Sequence, residues 1–313
     1  MKDNLVSPLK DEITPEKLYF SRRKFLRLSA MMGVTAALAA CGVTPPGNPT
    51  TGAETATLTP TPPPDVETPL DTITHYNNFY EFSQDKGAVA DLVSGFQTEP
   101  WTVEIGGLVD KPVTLSADEI IQNYPASEHV YRMRCVEGWS IVVPWEGFPL
   151  NRLLKDVGVQ PEARYIAFTT VLRPAQMPGQ NDSFFKWPYD EGLRLDEANH
   201  DLTLLVSGLY GQPLPKQDGA PLRIVVPWKY GFKSVKSIVK IEAVKDQPPT
   251  FWNTTAPDEY GFYSNVNPDV PHPRWTQYSE RRLGEAGRRP TLLFNGYSEV
   301  APLYEGMDLK ANF

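Results

Sequence analysis

From Val43 to Leu70 the chain is dense in proline and threonine, with Thr59-Pro60-Thr61-Pro62-Pro63-Pro64 at the extreme. Such a stretch cannot bury a core and reads as a stiff linker, here bounded as residues 42–70. What precedes it, residues 1–41, reads as an address and not as part of a fold. Ser21-Arg22-Arg23-Lys24-Phe25-Leu26-Arg27 has the twin-arginine export pattern. The small, apolar run from Leu28 to Ala40 is shorter than the about 20 apolar residues that an unbroken membrane-spanning helix needs. Twin-arginine export carries proteins already folded, often around a cofactor, so the signal hints at a prosthetic group. Leu38-Ala39-Ala40-Cys41-Gly42 has the form of a lipobox. Cys41 is then the expected site of lipidation, with plain cleavage as the alternative, and the expected location is periplasmic or otherwise outside the cytoplasmic membrane.

The foldable remainder is residues 71–313, with no second low-complexity break to divide it, and it reads as one domain. The net charge of -8 argues against a general affinity for nucleic acid or anionic lipid. Strands are expected at Trp101 to Ile105, His129 to Val136, Ile141 to Val143, Tyr165 to Val171, Leu202 to Leu209, Leu222 to Val226 and Val235 to Val244. Ser116-Ala117-Asp118-Glu119 has capping-box spacing and opens a short helix. Pro149 to Val157 reads as a second helix with Pro149 near its first turn. Strands outnumber helices and do not alternate with them as βαβ units would, so the class is α+β, mostly β.

Only two cysteines are present. With Cys41 in the export region, Cys135 has no disulfide partner in the domain. It closes the strand-like run Tyr131-Arg132-Met133-Arg134 just before Gly138, where a thiolate would be presented to a ligand or metal. Alternation places Tyr131, Met133 and Cys135 on one sheet face and Arg132 and Arg134 on the other, an expected solvated or salt-bridged face. His75, His129, His200 and His272 are scattered, and without a Cys pair or H-E-x-x-H spacing no zinc site is expected. Phosphate-loop, dinucleotide and G-x-S-x-G motifs are absent. A catalytic nucleophile remains an open reading of Cys135, since its partners need be neighbours only in space. Residues 227–236, Pro-Trp-Lys-Tyr-Gly-Phe-Lys-Ser-Val-Lys, could offer ammonium groups to a phosphate. Taken alone they read as an ordinary solvated hairpin.

Several segments, in one order, resemble the sulfite oxidase family of molybdenum enzymes. They include Tyr76-Asn77-Asn78-Phe79-Tyr80-Glu81-Phe82, Tyr131-Arg132-Met133-Arg134-Cys135-Val136-Glu137, Gln176-Met177-Pro178-Gly179-Gln180, Val226-Pro227-Trp228-Lys229-Tyr230-Gly231-Phe232-Lys233 and Thr291-Leu292-Leu293-Phe294-Asn295-Gly296-Tyr297. The likeness is strongest to the branch that reduces methionine sulfoxide in proteins of the bacterial envelope. It implies a sulfite oxidase-like molybdopterin-binding fold and a molybdenum-molybdopterin cofactor in the form without an added mononucleotide. By the same resemblance Cys135 ligates the metal, while Asn77, Tyr80, Glu81, Thr170, Asp218, Arg223, Ser234, Val235 and Lys236 hold the pterin and its phosphate. Asp218 departs from the family pattern, which has Asn there; an ionised carboxylate cannot donate a hydrogen bond and repels a phosphate. The implied reaction is oxygen-atom transfer, in which a sulfoxide with two electrons and two protons becomes a thioether and water. Tyr230 and Glu81 are candidate proton donors. No haem-attachment or iron–sulfur motif is present, so electrons come from another protein. The resemblance implies a haem-containing membrane subunit. Sulfite oxidation on the same fold, and a cofactor-free binding lipoprotein, are the competing readings.

Overall fold

The computed structural model describes residues 65–313. The export pattern, Cys41 and the linker as far as Pro64 lie outside the described residues. In chain order the strands are β1 (Thr102–Gly107), β2 (Val113–Ser116), β3 (Ser127–Arg134), β4 (Trp139–Pro149), β5 (Tyr165–Thr170), β6 (Asp190–Arg194), β7 (Leu204–Leu209), β8 (Gln212–Pro213), β9 (Arg223–Val225), β10 (Ile238–Val244), β11 (Ser279–Arg282) and β12 (Arg289–Pro290). One sheet runs β2-β1-β10-β5-β6, and the other runs β12-β11-β4-β7-β8 with β3 on β4 and β9 on β7. The helices are short: α1 (Leu70–His75), α2 (Val89–Leu92), α3 (Ala117–Asn123), α4 (Asn151–Val157), α5 (Leu195–Ala198) and α6 (Phe251–Thr255). The class is α+β with strands dominant, as the order of sequence patterns implies.

The capping box forms as spaced. The Glu119 amide donates to Ser116 Oγ at 3.1 Å, and Glu119 Oε2 accepts from the Ser116 amide at 2.7 Å, so two otherwise orphaned donors are satisfied at the start of α3. Pro149 lies near the first turn of the second helix, as expected, but is not part of that helix. It is the last residue of β4, paired with Leu204, and α4 starts at Asn151. The fixed φ of proline suits a strand end as well as a helix start, and its missing N–H costs nothing where the ladder stops. Strand β4 is also far longer than the three residues the sequence pattern marks. Its apolar residues are nearly continuous because both faces are covered, which hides the alternation that betrays a strand.

Two loops position the site. The hairpin between β3 and β4 carries Cys135, whose carbonyl accepts from the Gly138 amide at 3.1 Å while its own amide donates to Trp139 at 2.9 Å. Gly138 has φ +88°, a left-handed conformation that a residue with a Cβ adopts at a cost. The loop from β9 to β10 passes from one sheet to the other. It is not a solvated hairpin: Trp228, Lys229, Lys233 and Ser234 are buried. Lys229 Nζ is 2.6 Å from Glu197 Oε1, and Lys233 Nζ is 2.6 Å from Glu191 Oε2, so each ammonium has its own carboxylate inside the protein. Such pairing is what lets a charged loop leave water.

Candidate functional site

Between these two loops and the segment that follows α1 lies a cavity of about 1140 Å³ including its mouth. Asn77, Tyr80, Glu81, Cys135, Asp218, Arg223, Ser234, Val235 and Lys236 all line it. Residues more than 140 positions apart thus meet because β3, β9 and the β9–β10 loop converge there. Thr170 does not line the cavity. It is buried behind it, and its hydroxyl donates to the Lys236 carbonyl at 2.9 Å, fixing the turn from which Lys236 projects. Tyr230 is outside the cavity as well, with its hydroxyl 3.5 Å from both the Asn267 amide and the Asn267 carbonyl.

The Cys135 thiol is pushed up to about 12, first by burial and then by the Glu137 carboxylate, with the Glu137 amide, Lys86 and Arg134 opposing. Left to itself the sulfur keeps its proton, and a soft cation is what would displace it. Asn78 Nδ2 donates to Sγ at 3.3 Å and the Glu137 amide points to it at 3.5 Å, the type of outer contact that fixes a ligating sulfur. The turn is braced from behind. The Val136 carbonyl accepts from Trp275 Nε1 at 2.8 Å and from Gln277 Nε2 at 2.7 Å. Arg134 is fully buried, so of the two expected alternatives it takes the salt-bridged one and not the solvated one. Its Nε is 3.0 Å from Glu280 Oε2, and Nη1 donates to the Cys135 carbonyl. Arg132 is the salt-bridged member nearer water, held by Asp65 at 3.1 Å. Asp65 also pairs with Arg282 and Arg289, so the last residues read as linker are docked on the domain.

At the far end of the cavity, Arg223 donates to the Asp218 carbonyl (2.8 Å) and the Ser234 carbonyl (3.1 Å) and lies 4.9 Å from the centre of the Trp145 ring. Lys236 Nζ donates to the Asn78 carbonyl. Burial, with Arg223 close by, pulls Lys236 down to about 7, while burial pushes Glu81 and Asp218 up to about 7. Gly179 permits the packing behind Glu81, since a Cβ there would lie 2.0 Å from the Tyr80 carbonyl oxygen.

Sequence reasoning did not single out Asn78, Lys86, Glu137 or Trp139 as site residues. Glu137 Oε2 accepts from Trp139 Nε1 at 2.8 Å and is 3.1 Å from Lys86, beside the sulfur. Asn78 and Glu137 do stand inside the segments that carry the resemblance, next to Asn77 and two residues after Cys135, so proximity in sequence was the available signal.

The description of the sequence family matching residues 90–252 is oxidoreductase molybdopterin binding domain. The chain belongs to this molybdopterin-binding oxidoreductase family. Within it, the protein-methionine-sulfoxide reductase catalytic subunit MsrP of Gluconobacter oxydans (strain 621H) is 52% identical over 316 residues, covering 98% of this chain and 97% of that one. Among solved structures, the sulfane dehydrogenase SoxCD from Paracoccus pantotrophus aligns at 17% identity with a TM-score of 0.43. That alignment covers 63% of this chain and 49% of the other, so the chain spans about half the length of that structure.

The cavity suits the group that gives the molybdopterin-binding family its name. Asn77 Oδ1 and Asn78 Oδ1 are buried acceptors without a partner, which N–H donors on the edge of a pterin would satisfy, and Asp218 Oδ2 is a third buried oxygen without one. Arg223 and Lys236 supply the cationic end that a phosphate requires, and Cys135 supplies the soft donor that a molybdenum centre requires.

Proposed function

We propose that this chain is a molybdopterin-dependent reductase that removes oxygen from methionine sulfoxide in proteins of the cell envelope. The observation that carries the reading is the gathering of Cys135 and eight of the nine expected pterin-binding residues around one cavity, in a chain 52% identical along 98% of its length to a methionine sulfoxide reductase catalytic subunit. Cys135 would ligate molybdenum through Sγ, with Asn78 and the Glu137 amide steadying the sulfur. Asn77, Tyr80 and Glu81 would face the pterin, and Asp218, Arg223, Ser234, Val235 and Lys236 its phosphate, with Thr170 positioning the last of these through the Lys236 carbonyl. When bound, the cofactor supplies two-electron oxygen-atom transfer. The chain's part is to hold the sulfur, orient the pterin and keep a protonatable carboxyl in reach. Glu137, held by Trp139 and Lys86 beside Cys135, has the best geometry for passing protons. Tyr230, outside the cavity, does not share that position.

The sulfite reading is disfavoured by the cations near the sulfur. A small dianion would need them unengaged, whereas Lys86 is bound to Glu137 and Arg134 to Glu280. The finer features form part of the same proposal. Twin-arginine export, a periplasmic location and a lipid at Cys41 rest on the export pattern and the lipobox, while the cofactor without a mononucleotide and a haem-bearing membrane electron donor are what the family resemblance implies; the absence of redox-cofactor motifs supports only an external source of electrons. Metal analysis of the exported protein, with turnover on a methionine sulfoxide-containing protein set against turnover on sulfite, tests the whole. Molybdenum at about one per chain and turnover of the sulfoxide alone is the expected result; a metal-free chain would refute it.

A further inference from the structure

Asp218 stands where it should be least welcome. Its Oδ1 accepts from Asn77 Nδ2 at 2.7 Å, and its Oδ2 is buried on the cavity wall with no partner. The groups that face it are the cations Arg223 and Lys236, His75 near the end of α1 and the Tyr210 phenol. Glu81 shares Lys236 with it. Two carboxyls, Glu81 and Asp218, thus stand against two cations, Arg223 and Lys236, so this end of the cavity has no surplus of basic groups over acidic ones to meet a dianion. A phosphate monoester brings close to two negative charges into that buried space. Left uncompensated, they would meet a carboxylate across a low-dielectric gap, which costs more than shifting a proton. Of the two carboxyls, Asp218 has the orphaned oxygen, on a residue that lines the cavity, and that oxygen can become an O–H donor.

Resting on the reading of this cavity as the molybdopterin site, we infer that Asp218 enters the loaded site as a neutral acid that donates its O–H to the cofactor's phosphate, so that loading draws in a proton. The asparagine of the family pattern would donate an N–H at that place without a proton being taken up. In this chain, cofactor retention is therefore tied to pH. Burial has already moved the carboxyl towards neutrality, so the added phosphate has only to finish the shift.

Infrared spectroscopy of the loaded protein at pH 8, compared with Asp218→Asn and Glu81→Gln, tests this. A deuterium-sensitive carboxylic-acid carbonyl band should be present in the wild type and in Glu81→Gln, and absent from Asp218→Asn. Cofactor affinity in the wild type should fall up to about tenfold per pH unit above neutrality, and this dependence should be weaker by one proton in Asp218→Asn. A band that survives in Asp218→Asn, or an unchanged pH slope, overturns the inference. Phosphorus NMR and metal analysis of the same samples separate the two ideas: a bound phosphate resonance without the acid band sinks the protonated Asp218 alone, whereas no phosphate and no molybdenum in any sample sinks the cofactor reading itself.

Discussion

The loop between β9 and β10 contains two kinds of lysine. Lys229 and Lys233 are buried with one dedicated carboxylate each, at 2.6 Å. Lys236, a few residues on, is only partly buried at the cavity wall, and it reaches a backbone carbonyl and only shares Glu81 and Asp218 at a distance. The first pair is complete and holds the loop inside the protein. The second arrangement is incomplete, with orphaned oxygens around it, and completes itself only with a ligand. Residue type is the same in both; full burial and a dedicated partner separate a charge that builds the fold from one that serves the site.

The largest effect should come from the ligand end of the cavity. Cys135→Ser is expected to lower molybdenum from about one per chain to near zero in metal analysis, while circular dichroism stays that of a folded protein. The next test sets the two lysines against each other. Lys229→Met strands Glu197 in the interior and should cost about 3–5 kcal/mol in urea unfolding. Lys236→Met should leave the stability of the cofactor-free chain within about 1 kcal/mol, because it removes a desolvated and imperfectly paired charge, yet abolish cofactor retention.

The two regions should also respond to acid with opposite sign. The Glu197 carboxyl is held below its usual value: its burial raises it, but Lys229, at 2.6 Å, together with hydrogen bonds from Lys229, Tyr304 and the Arg194 amide, outweighs that. Its contribution is present above the unfolded value and lost as pH falls through the folded one. Glu81 is raised from 4.5 to about 7, so its cost is absent below 4.5 and complete above 7. Glu81→Gln should therefore stabilise the cofactor-free chain by about 1–3 kcal/mol at pH 8 and scarcely at pH 4.5, as read from unfolding curves at the two values. Thr170→Val should have the smallest effect, about 1 kcal/mol in thermal unfolding for the lost bond to the Lys236 carbonyl, with a measurable weakening of cofactor retention.

Much of this was legible in the sequence, for reasons that differ by residue. The Ser116–Glu119 capping box and the strand ending at Cys135 are local, and local chemistry determines them. Cys135 was conspicuous because a domain with one cysteine cannot explain it by pairing. The cavity residues from Asn77 to Lys236 came from resemblance, since contacts across more than 140 positions leave no local pattern. Strand β6 went unread because its buried Glu191 interrupts the apolar signal, and Glu191 is buried only because Lys233 meets it. The same ion pairs made the β9–β10 loop look like a solvated hairpin. Sequence shows charges; it does not show which of them have found each other.

The bracing of the cysteine turn has a consequence for how the protein is made. Trp275, Gln277 and Glu280 hold Val136 and Arg134, so the seat of Cys135 depends on residues synthesised about 140 positions after it. A nascent chain still on the ribosome and not yet extended past Glu280 has the cysteine but not its supports. Insertion of the cofactor into a finished seat is consequently a late event in biogenesis, one that follows release of nearly the whole polypeptide, and a chain cut short before Trp275 would carry every expected pterin contact and still lack the frame that aims its sulfur.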